Sequence, residues 1–345
     1  TKLILAISIL FGIVAATDVA AKVPADKLEL VEKLKKSRGG KVLGARIGKK
    51  VAEAFDLYSK DDSEGALAIL LELEPRGAFD KAYVDRYIGS LYAGIEGKAK
   101  TALEYLKSAK AADILPFDDH ASVIRLIADL SMQEQDFEFA IKTYHEYTEF
   151  SYNLDATVFL RIGSAHHELQ QYDKVIAPAK RAIELFEQPN QNPYMLVMAS
   201  YYERKMYPEA IKATEMLVKV FPTDPKWWRQ LGMFYMLVED YEKGLATMEV
   251  AYKQGFLESK SQVKALAQLY ATNGIPYKSA IIQEEFVNSG LIEKSEQSVS
   301  TMAATFRNAK EFVAAAKYYG VAAMINNNAD LYRKQAEAFL AIERF

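Results

Sequence analysis

The residues best suited to metal chemistry are four histidines, His120, His145, His166 and His167. The segment from His167 begins like the H-E-x-x-H zinc motif, in which two histidines four residues apart share one helix face. Gln171 stands where the second histidine would be. The adjacent pair His166 and His167 would point in different directions on a helix. The sequence therefore predicts no metal site.

Other catalytic groups are scarce. The chain contains no cysteine, which excludes disulfides, thiolate zinc sites, iron–sulfur clusters and cysteine nucleophiles. It shows no phosphate-binding glycine loop, dinucleotide fingerprint or nucleophile elbow. The carboxylate pairs Asp61-Asp62 and Asp118-Asp119 fall in expected turns, where helix capping explains them better than acid–base catalysis. We therefore predict no enzyme activity, no catalytic residue and no cofactor.

Recognition chemistry has better candidates, because cationic residues recur at intervals near 35 residues. The repeat family that the chain resembles, as described below, implies that one position in the first helix of each repeat faces inward, and in this sequence that position gives Arg86, Arg125, Leu160, Met195, Arg229, Lys264, Ser300 and Arg333. Five of the eight positions are cationic, although the net charge of the chain is −3. Arginine presents a fixed fork of donors to carboxylates, so the series predicts a protein or peptide partner with exposed carboxylates. The alternative is that arginine and lysine stand there as good helix formers on solvated faces.

The predicted partner-binding surface adds polar, aromatic and methionine side chains from nearby positions to this series. Methionine belongs there because its flexible side chain adapts to irregular surfaces. The surface comprises Arg86, Arg125, Asp129, His167, Asn192, Met195, Tyr202, Lys226, Arg229, Met233, Met236, Lys264, Gln268, Arg307, Asn308 and Arg333.

Seven aromatic residues define the repeat that positions this surface. They are Phe137, Tyr172, Tyr207, Tyr241, Tyr277, Phe312 and Phe345, with gaps of 35, 35, 34, 36, 35 and 33 residues. Three residues after each of the first six lies a small or β-branched residue, and this marker extends back to Ala66 and Ala102. Such a period is typical of stacked helix pairs. Solenoids of this kind present long concave surfaces rather than buried catalytic clefts.

One repeat shows the pattern most clearly, with Trp228, Leu231, Gly232, Tyr235, Tyr241, Gly244 and Ala251 in order. It resembles the tetratricopeptide pattern, and the resemblance covers residues 47 to 345. The pattern implies that Gly232 lets two helices approach while Trp228 and Tyr235 fill the space between repeats. The implied fold is an all-α, right-handed superhelical solenoid of antiparallel helix pairs, with about eight repeats and a partial ninth. The lysine and asparagine set with which that family clamps a C-terminal carboxylate is absent, so that ligand is not implied.

The N-terminus predicts export. Lys2 precedes an apolar run of about 14 residues, and Val19 and Ala21 occupy the −3 and −1 positions of a signal-peptide cleavage site. The run falls short of the ~20 residues that span a bilayer, so we expect no membrane insertion after cleavage. The alternatives are an uncleaved membrane anchor and a buried helix that caps the array.

The predicted organisation has three parts. Residues 1–21 form the signal peptide, residues 22–45 a short helix and basic linker that act as a solvated tether, and residues 46–345 the solenoid. The last repeat lacks its second helix, so we expect either that the natural chain continues past Phe345 or that this end docks on another surface. Basic and acidic residues are nearly balanced at 43 and 46, which predicts no nucleic-acid partner.

With its signal peptide and repeats, the chain also resembles periplasmic tetratricopeptide proteins associated with TonB–ExbB–ExbD energy-transduction clusters. The resemblance implies a non-enzymatic periplasmic scaffold that binds a partner along its concave groove and supports TonB-dependent transport. An adaptor in cell-envelope assembly or polysaccharide export is the alternative, and a glycan-active enzyme is a more distant one. The sequence leaves the identity of the partner and the oligomeric state open.

Overall fold

The computed structural model describes residues 25–343, and within them it contains eighteen α-helices and no strand. The predicted signal peptide at residues 1–21 and the last aromatic marker, Phe345, lie outside the described residues. Contacts between residues divide the chain into unit 1, which ends at Pro193, and unit 2, which begins at Tyr194.

Unit 1 contains one N-terminal helix followed by four helix pairs. Its helices are α1 (Ala25–Arg38), α2 (Ala45–Tyr58), α3 (Ser63–Leu71), α4 (Ala78–Ala93), α5 (Ala99–Ala111), α6 (Phe117–Gln133), α7 (Phe137–Ser151), α8 (Ala156–Glu168) and α9 (Tyr172–Leu185). From α2 to α9, each helix packs against the next one in the chain. The N-terminal helix α1 instead packs against α6.

Unit 2 contains the remaining helices. Its helices are α10 (Gln191–Glu203), which begins just before the boundary, α11 (Tyr207–Val220), α12 (Pro225–Leu237), α13 (Tyr241–Lys253), α14 (Lys260–Thr272), α15 (Pro276–Asn288), α16 (Glu296–Asn308), α17 (Phe312–Asn326) and α18 (Ala329–Glu343). From α11 to α18, each helix packs against the next one in the chain, which continues the arrangement of unit 1. Tyr194 and Met198 of α10 pack against the core that α11 and α12 share. Eight helix pairs and the single helix α18 lie within residues 25–343, which confirms the predicted all-α array.

Small residues mark where the helices come close together. All eight predicted marker positions are buried, namely Ala66, Ala102, Ala140, Val175, Ala210, Gly244, Ala280 and Ala315. A helix approaches its neighbour most closely where side chains are short, and helix axes then lie about 8–10 Å apart. The same close contact between helices therefore recurs in each repeat, at the buried small residue.

The clearest repeat packs largely as predicted. Trp228 is half-buried and contacts the cores on both sides of α12, so it fills the space between repeats. Its neighbour Trp227, which the sequence pattern did not single out, is fully buried. A Cβ atom on Gly232 would lie 2.5 Å from Cγ of Met248 on α13, so the glycine makes room for a side chain rather than for a second backbone.

The turn inside each helix pair repeats one backbone conformation. The residue just before the N-cap of the second helix has a left-handed conformation in all eight pairs, at Asp61, Gly97, Gln135, Gln170, Lys205, Glu239, Gly274 and Lys310. Two of these eight residues are glycine, which adopts that conformation without strain. In three pairs the following aspartate, Asp62, Asp136 or Asp240, accepts a hydrogen bond from a backbone N–H of the helix it caps.

Candidate functional site

The predicted cations of unit 1 form ion pairs that join successive repeats. Arg86 on α4 donates to Asp119 in the first turn of α6, and Arg125 on α6 donates to Asp155. Asp155 is the N-cap of α8, and its carboxylate accepts hydrogen bonds from the backbone N–H and the hydroxyl of Thr157 at 2.8 and 2.6 Å. Each arginine thus connects the first helix of one pair to the start of the first helix of the next.

Asp129, another predicted residue, joins three helices. Its carboxylate accepts hydrogen bonds from the Tyr144 hydroxyl on α7 and, at 2.8 Å, from Arg161 on α8. Burial, together with the hydrogen bond to Asp129, raises the pKa of the Tyr144 hydroxyl far above its usual value. Arg161 was missed, although it directly follows Leu160 in the periodic series.

These contacts compensate the charge of the arginines in unit 1. Arg86 and Arg125 are both half-buried and each already has a carboxylate partner from the following repeat. An acidic ligand would have to compete with that carboxylate at either position. The geometry therefore favours a structural role for both arginines. This role differs from both roles that the sequence suggested, which were binding a partner's carboxylate and standing on a solvated helix face.

Unit 2 contains a cavity of about 320 Å³ between α14, α15 and α16, which we call the Lys264 groove. Two predicted residues, Lys264 and Gln268, line it. The full lining is Lys260, Lys264, Ala267, Gln268, Ala271, Ser279, Gln283, Val287, Ile292, Ser295, Gln297, Ser298, Thr301 and Thr305. Two of these residues are lysine and none is aspartate or glutamate, so the lining is cationic and rich in amides and hydroxyls.

A hydrogen-bond network forms the floor of the Lys264 groove. The Ser279 hydroxyl on α15 donates to the carbonyl oxygen of Ala267 on α14 at 2.7 Å. The Gln283 amide donates to the Ser279 hydroxyl and to the Thr305 hydroxyl on α16, both at 3.2 Å. The network ties three helices together. The Gln283 amide oxygen accepts no hydrogen bond within the described residues, so it remains available to a donor in the groove.

The two lysines of the groove lie one helical turn apart on α14, and both are exposed. Neither Lys260 nor Lys264 forms an ion pair with any residue between 25 and 343. Exposed amides of Gln268 and Gln297 lie on opposite walls. The lysines can therefore bind a negatively charged group of a ligand, while the amides and hydroxyls of the groove form hydrogen bonds with the rest of that ligand.

Comparison with known proteins identifies the fold. No family model matches the sequence, and no curated protein matches it. The chain is similar to a chain of the Naa15/Naa10 complex bound to HypK-THB, with a TM-score of 0.51 and 14% identity over 75% of this chain and 39% of that one.

Two bacterial structures show weaker similarity. One is a tetratricopeptide repeat protein from Parabacteroides merdae ATCC 43184, with a TM-score of 0.45 and 14% identity over 77% of this chain and all of that one. The other is MamA from Desulfovibrio magneticus RS-1, with a TM-score of 0.42 and 17% identity over 52% of this chain and 97% of that one. Eight helix pairs at a period near 35 residues settle the architecture. The fold is of the tetratricopeptide type.

The remaining predicted cations of this tetratricopeptide array differ in their contacts. Arg229 donates to the carbonyl oxygen of Phe256 at 2.9 Å and to Glu258 at 3.3 Å, so it ties α12 to the loop before α14. Arg333 pairs with Glu337 of its own helix at 3.3 Å. Arg307 is exposed at the end of α16 and has no ion-pair partner in the described part of the chain.

None of the other predicted residues of the surface lines the Lys264 groove. Tyr202 stacks on Phe234 with ring centroids 5.4 Å apart, and the Lys226 ammonium lies 4.5 Å from the ring of Trp227. Met195 and Met236 pack partly into hydrophobic clusters of unit 2, whereas Met233 is exposed. The exposed amides Asn192 and Asn308 make no side-chain hydrogen bond within residues 25–343.

The adjacent histidines have separate contacts. His166 Nδ1 lies 2.9 Å from the amide oxygen of Gln171, and the His167 ring packs edge-on against Tyr172. Burial lowers the pKa of His166 below its ordinary value. Between residues 25 and 343, no group of three or more histidine, aspartate or glutamate side chains is arranged to hold a metal ion. No helix in that range has the length and apolar character needed to cross a bilayer.

Several groove residues escaped the sequence analysis. Ser279 and Gln283 lie on the second helix of a pair, whereas the periodic series follows first helices. A signal was present on α16, where Gln297, Thr301 and Thr305 recur every four residues. This spacing places neutral polar side chains on one helix face.

Proposed function

We propose that this protein is a non-enzymatic scaffold that binds another protein, and that the Lys264 groove takes an extended acidic segment of that partner. The observation that supports this most directly is a groove with two unpaired lysines and no carboxylate in its lining. Elsewhere on the predicted surface, Arg86, Arg125 and Arg229 already contact carboxylates.

An extended peptide fits the chemistry of this groove. Its amides and hydroxyls can both donate and accept, as the backbone of a peptide requires. The two lysines offer charge to an aspartate, a glutamate or a terminal carboxylate. The cavity lies at the small end of the ~300–1,000 Å³ range of ligand pockets, so it accommodates a short stretch of a longer chain.

We also propose that the scaffold works in the bacterial periplasm and supports TonB-dependent transport. The support is the sequence of residues 1–21 and the overall likeness described above. The partner would then be a periplasmic part of the TonB–ExbB–ExbD apparatus or an outer-membrane receptor. Fractionation of cells that produce the tagged full chain tests the location, and recovery in the cytoplasm alone would contradict it.

Crosslinking in the native cell tests the binding site. A photo-crosslinking amino acid at Gln297 on the groove wall is compared with one at Lys212, an exposed residue of α11. We expect a protein adduct from position 297 that is absent at position 212. Equal adducts at both positions, or none at position 297, would refute the groove as the binding site. Adducts with envelope-assembly or polysaccharide-export components would favour the alternative adaptor role.

Charge reversal then tests the chemistry with the partner so identified. The variant Lys260→Glu/Lys264→Glu removes the cationic wall, and Lys212→Glu/Lys219→Glu makes the same charge change on the exposed face of α11. We expect at least tenfold weaker binding by the first variant only. All four lysines are exposed and none forms an ion pair within the described residues, so both variants should remain folded. Equal affinities of the two variants would show that the lysines play no part in binding.

A further inference from the structure

The N-terminal helix α1 is attached to unit 1 mainly through one arginine. Arg38 donates to the carboxylate of Asp113 and, at 3.3 Å, to the carbonyl oxygen of Leu115. Its guanidinium also lies over the ring of Phe150, 5.0 Å from the centroid. The side chain is only 16% exposed. The sequence predicted a solvated tether at residues 22–45, yet this arginine is one of the better buried cations of unit 1.

The receiving surface is a built pocket, which we call the Arg38 pocket and define by Asp113, Leu115, His120 and Phe150. It supplies an anion, a carbonyl oxygen and an aromatic face, the three kinds of group that bind a guanidinium. The rings of Phe150 and buried His120 lie 4.9 Å apart, and His120 Nε2 lies 3.5 Å from the Asp113 carboxylate. These contacts hold the pocket in shape through residues of α6, α7 and the loop before α6.

One polar atom of the pocket has no partner. His120 Nδ1 is buried and makes no hydrogen bond within the described residues. Unpartnered polar atoms in a protein interior are uncommon because each has lost its hydrogen bonds to water without gaining others. The pocket therefore has hydrogen-bonding capacity that α1 does not use.

Apart from Arg38, α1 fits its position poorly. Val31 is its only buried residue among residues 26–38, while Leu28 and Leu30 remain 52% and 41% exposed. The Lys35 ammonium adds a contact over the ring of Phe117 at 5.5 Å. Residues 39–42 of the following linker are exposed, and Gly40 has a φ of +83°. The Lys27 ammonium makes a similar contact over the ring of Tyr152 at 5.5 Å. The helix is therefore held by one arginine, one valine and two lysine–aromatic contacts, and most of its residues are exposed.

We propose that the Arg38 pocket is a binding site for the arginine of a helical segment, which α1 fills in the free chain and an arginine-bearing helix of a partner protein fills in its place. The partner helix would present an arginine near its C-terminal end and an apolar residue about two turns earlier, as Arg38 and Val31 do on α1. This site lies in unit 1 and does not depend on the Lys264 groove.

Hydrogen exchange in the full chain tests the first half of the proposal. Arg38→Ala and Asp113→Asn each remove one side of the contact, and Lys36→Ala is the matched control because Lys36 is exposed and has no ion-pair partner in the described residues. We expect the amides of residues 26–38 to exchange at least tenfold faster in the first two variants, with the amides of α6 and α7 unchanged. If the exchange rates of the α1 amides are the same in Arg38→Ala as in the unaltered protein, the proposal is overturned.

Binding in trans tests the second half. A fluorescent peptide of residues 25–41 is titrated into the full-length Arg38→Ala variant, whose pocket then lacks its own arginine. We expect saturable binding that weakens at least tenfold in Arg38→Ala/Asp113→Asn, or when the peptide itself contains Arg38→Ala. Absence of binding to Arg38→Ala, or equal binding to all these combinations, would show that the pocket does not recognise an arginine helix.

Discussion

Gly232 and Met248 are in a contact that leaves no room for a Cβ atom. A Cβ atom on Gly232 would lie 2.5 Å from Cγ and 2.6 Å from Sδ of Met248, in the interface between α12 and α13. Contacts this short require the methionine or the helix to move. The Met248 side chain occupies the space over Gly232 and thus sets the packing of α12 against α13.

Gly232→Ala should therefore destabilise unit 2. We expect a loss of about 1–3 kcal/mol in the free energy of unfolding, the usual cost of overpacking a core. Urea denaturation measures it, with Gly77→Ala as the control because Gly77 is exposed and a Cβ there meets nothing closer than 3.8 Å. The double variant Gly232→Ala/Met248→Ala should lose less than the sum of the two single changes. Strict additivity would contradict the contact.

Asp155 should contribute to stability in two separable ways. Asp155→Ala removes both the N-cap of α8 and the partner of Arg125, and we expect a loss of about 1–2 kcal/mol. Asp155→Asn retains the cap but removes the charge, so it should cost less. Urea denaturation of the two variants at neutral pH measures the difference. Equal losses would mean that the ion pair alone accounts for the effect.

The same carboxylate gives an acid dependence. Burial would raise the pKa of Asp155, but hydrogen bonds from Thr157 and the charge of Arg125 lower it below the ordinary 3.8. Its stabilising effect is therefore complete above pH 3.8 and is lost as the pH falls through the lowered pKa. In Asp155→Asn, the free energy of unfolding should change less steeply below pH 4 than in the unaltered protein. Curves of equal steepness would exclude this carboxylate as the cause.

His120 should make unit 1 sensitive to mild acid. Burial, followed by the charge of Arg38, lowers the pKa of His120 below 6.5, while Asp113 and Glu146 act in the opposite direction and Lys110 in the same one. The folded state therefore favours neutral histidine. This stabilisation is present above pH 6.5 and is lost as the pH falls through the lowered pKa, by at most about 1.4 kcal/mol for each pH unit.

The variant His120→Gln tests that dependence. Denaturation at pH 7.5, 6.0 and 5.0 should show a smaller loss of stability in the variant than in the unaltered protein. The protection factors of the α1 amides, corrected for the intrinsic pH dependence of exchange, should also fall with acid in the unaltered protein alone, because a protonated His120 repels Arg38. Identical pH profiles would mean that His120 does not titrate in this range.

Glycine at a left-handed turn position should stabilise the array. Gln135 has a φ of 60° between α6 and α7, a conformation that costs a side-chain-bearing residue about 1–2 kcal/mol. Gln135→Gly removes that strain but adds the roughly 0.5–1 kcal/mol by which glycine increases backbone freedom. We expect a net gain of about 0.5–1 kcal/mol by thermal unfolding. Gln133→Gly, at the end of α6, should instead destabilise the protein. A loss of stability in both variants would contradict the interpretation.

Gln283 should stabilise the floor of the Lys264 groove. Gln283→Ala removes the amide that joins Ser279 to Thr305, and we expect a loss of about 0.5–1.5 kcal/mol together with faster hydrogen exchange in α16. Gln297→Ala is the control, because its amide bonds only to Thr301 of the same helix. Similar effects of the two changes would show that the bond between helices contributes nothing.

The sequence predicted the helix pairs because one local contact recurs. Ala140, Ala210 and Ala280 each lie three residues after an aromatic, and each is buried. That spacing is set by helix geometry and by contacts between neighbouring repeats. Both appear in the sequence as a regular period. Lys264 and Gln268 came instead from the first-helix positions that the family resemblance implies, and both line the Lys264 groove.

The partners of the periodic arginines were beyond sequence reasoning. Arg125 pairs with Asp155, 30 positions later in a loop, and that distance closes only when one repeat stacks on the next. The docking of Arg38 on Asp113 depends on a similar long-range approach across 75 positions. The lysines and glycines at residues 33–41 predict a solvent-exposed segment. The local sequence does not show that Arg38 has a binding surface elsewhere in unit 1.

The double use of Asp155 fixes the register between two repeats. One carboxylate caps α8 and also binds an arginine of α6, so α8 cannot slide by a residue relative to α6 without breaking the contact with Arg125. An insertion or deletion in the α7–α8 connection is then acceptable only between Tyr152 and this aspartate. A length change between the aspartate and Thr157 would misalign the α8–α9 pair, which is the last of unit 1.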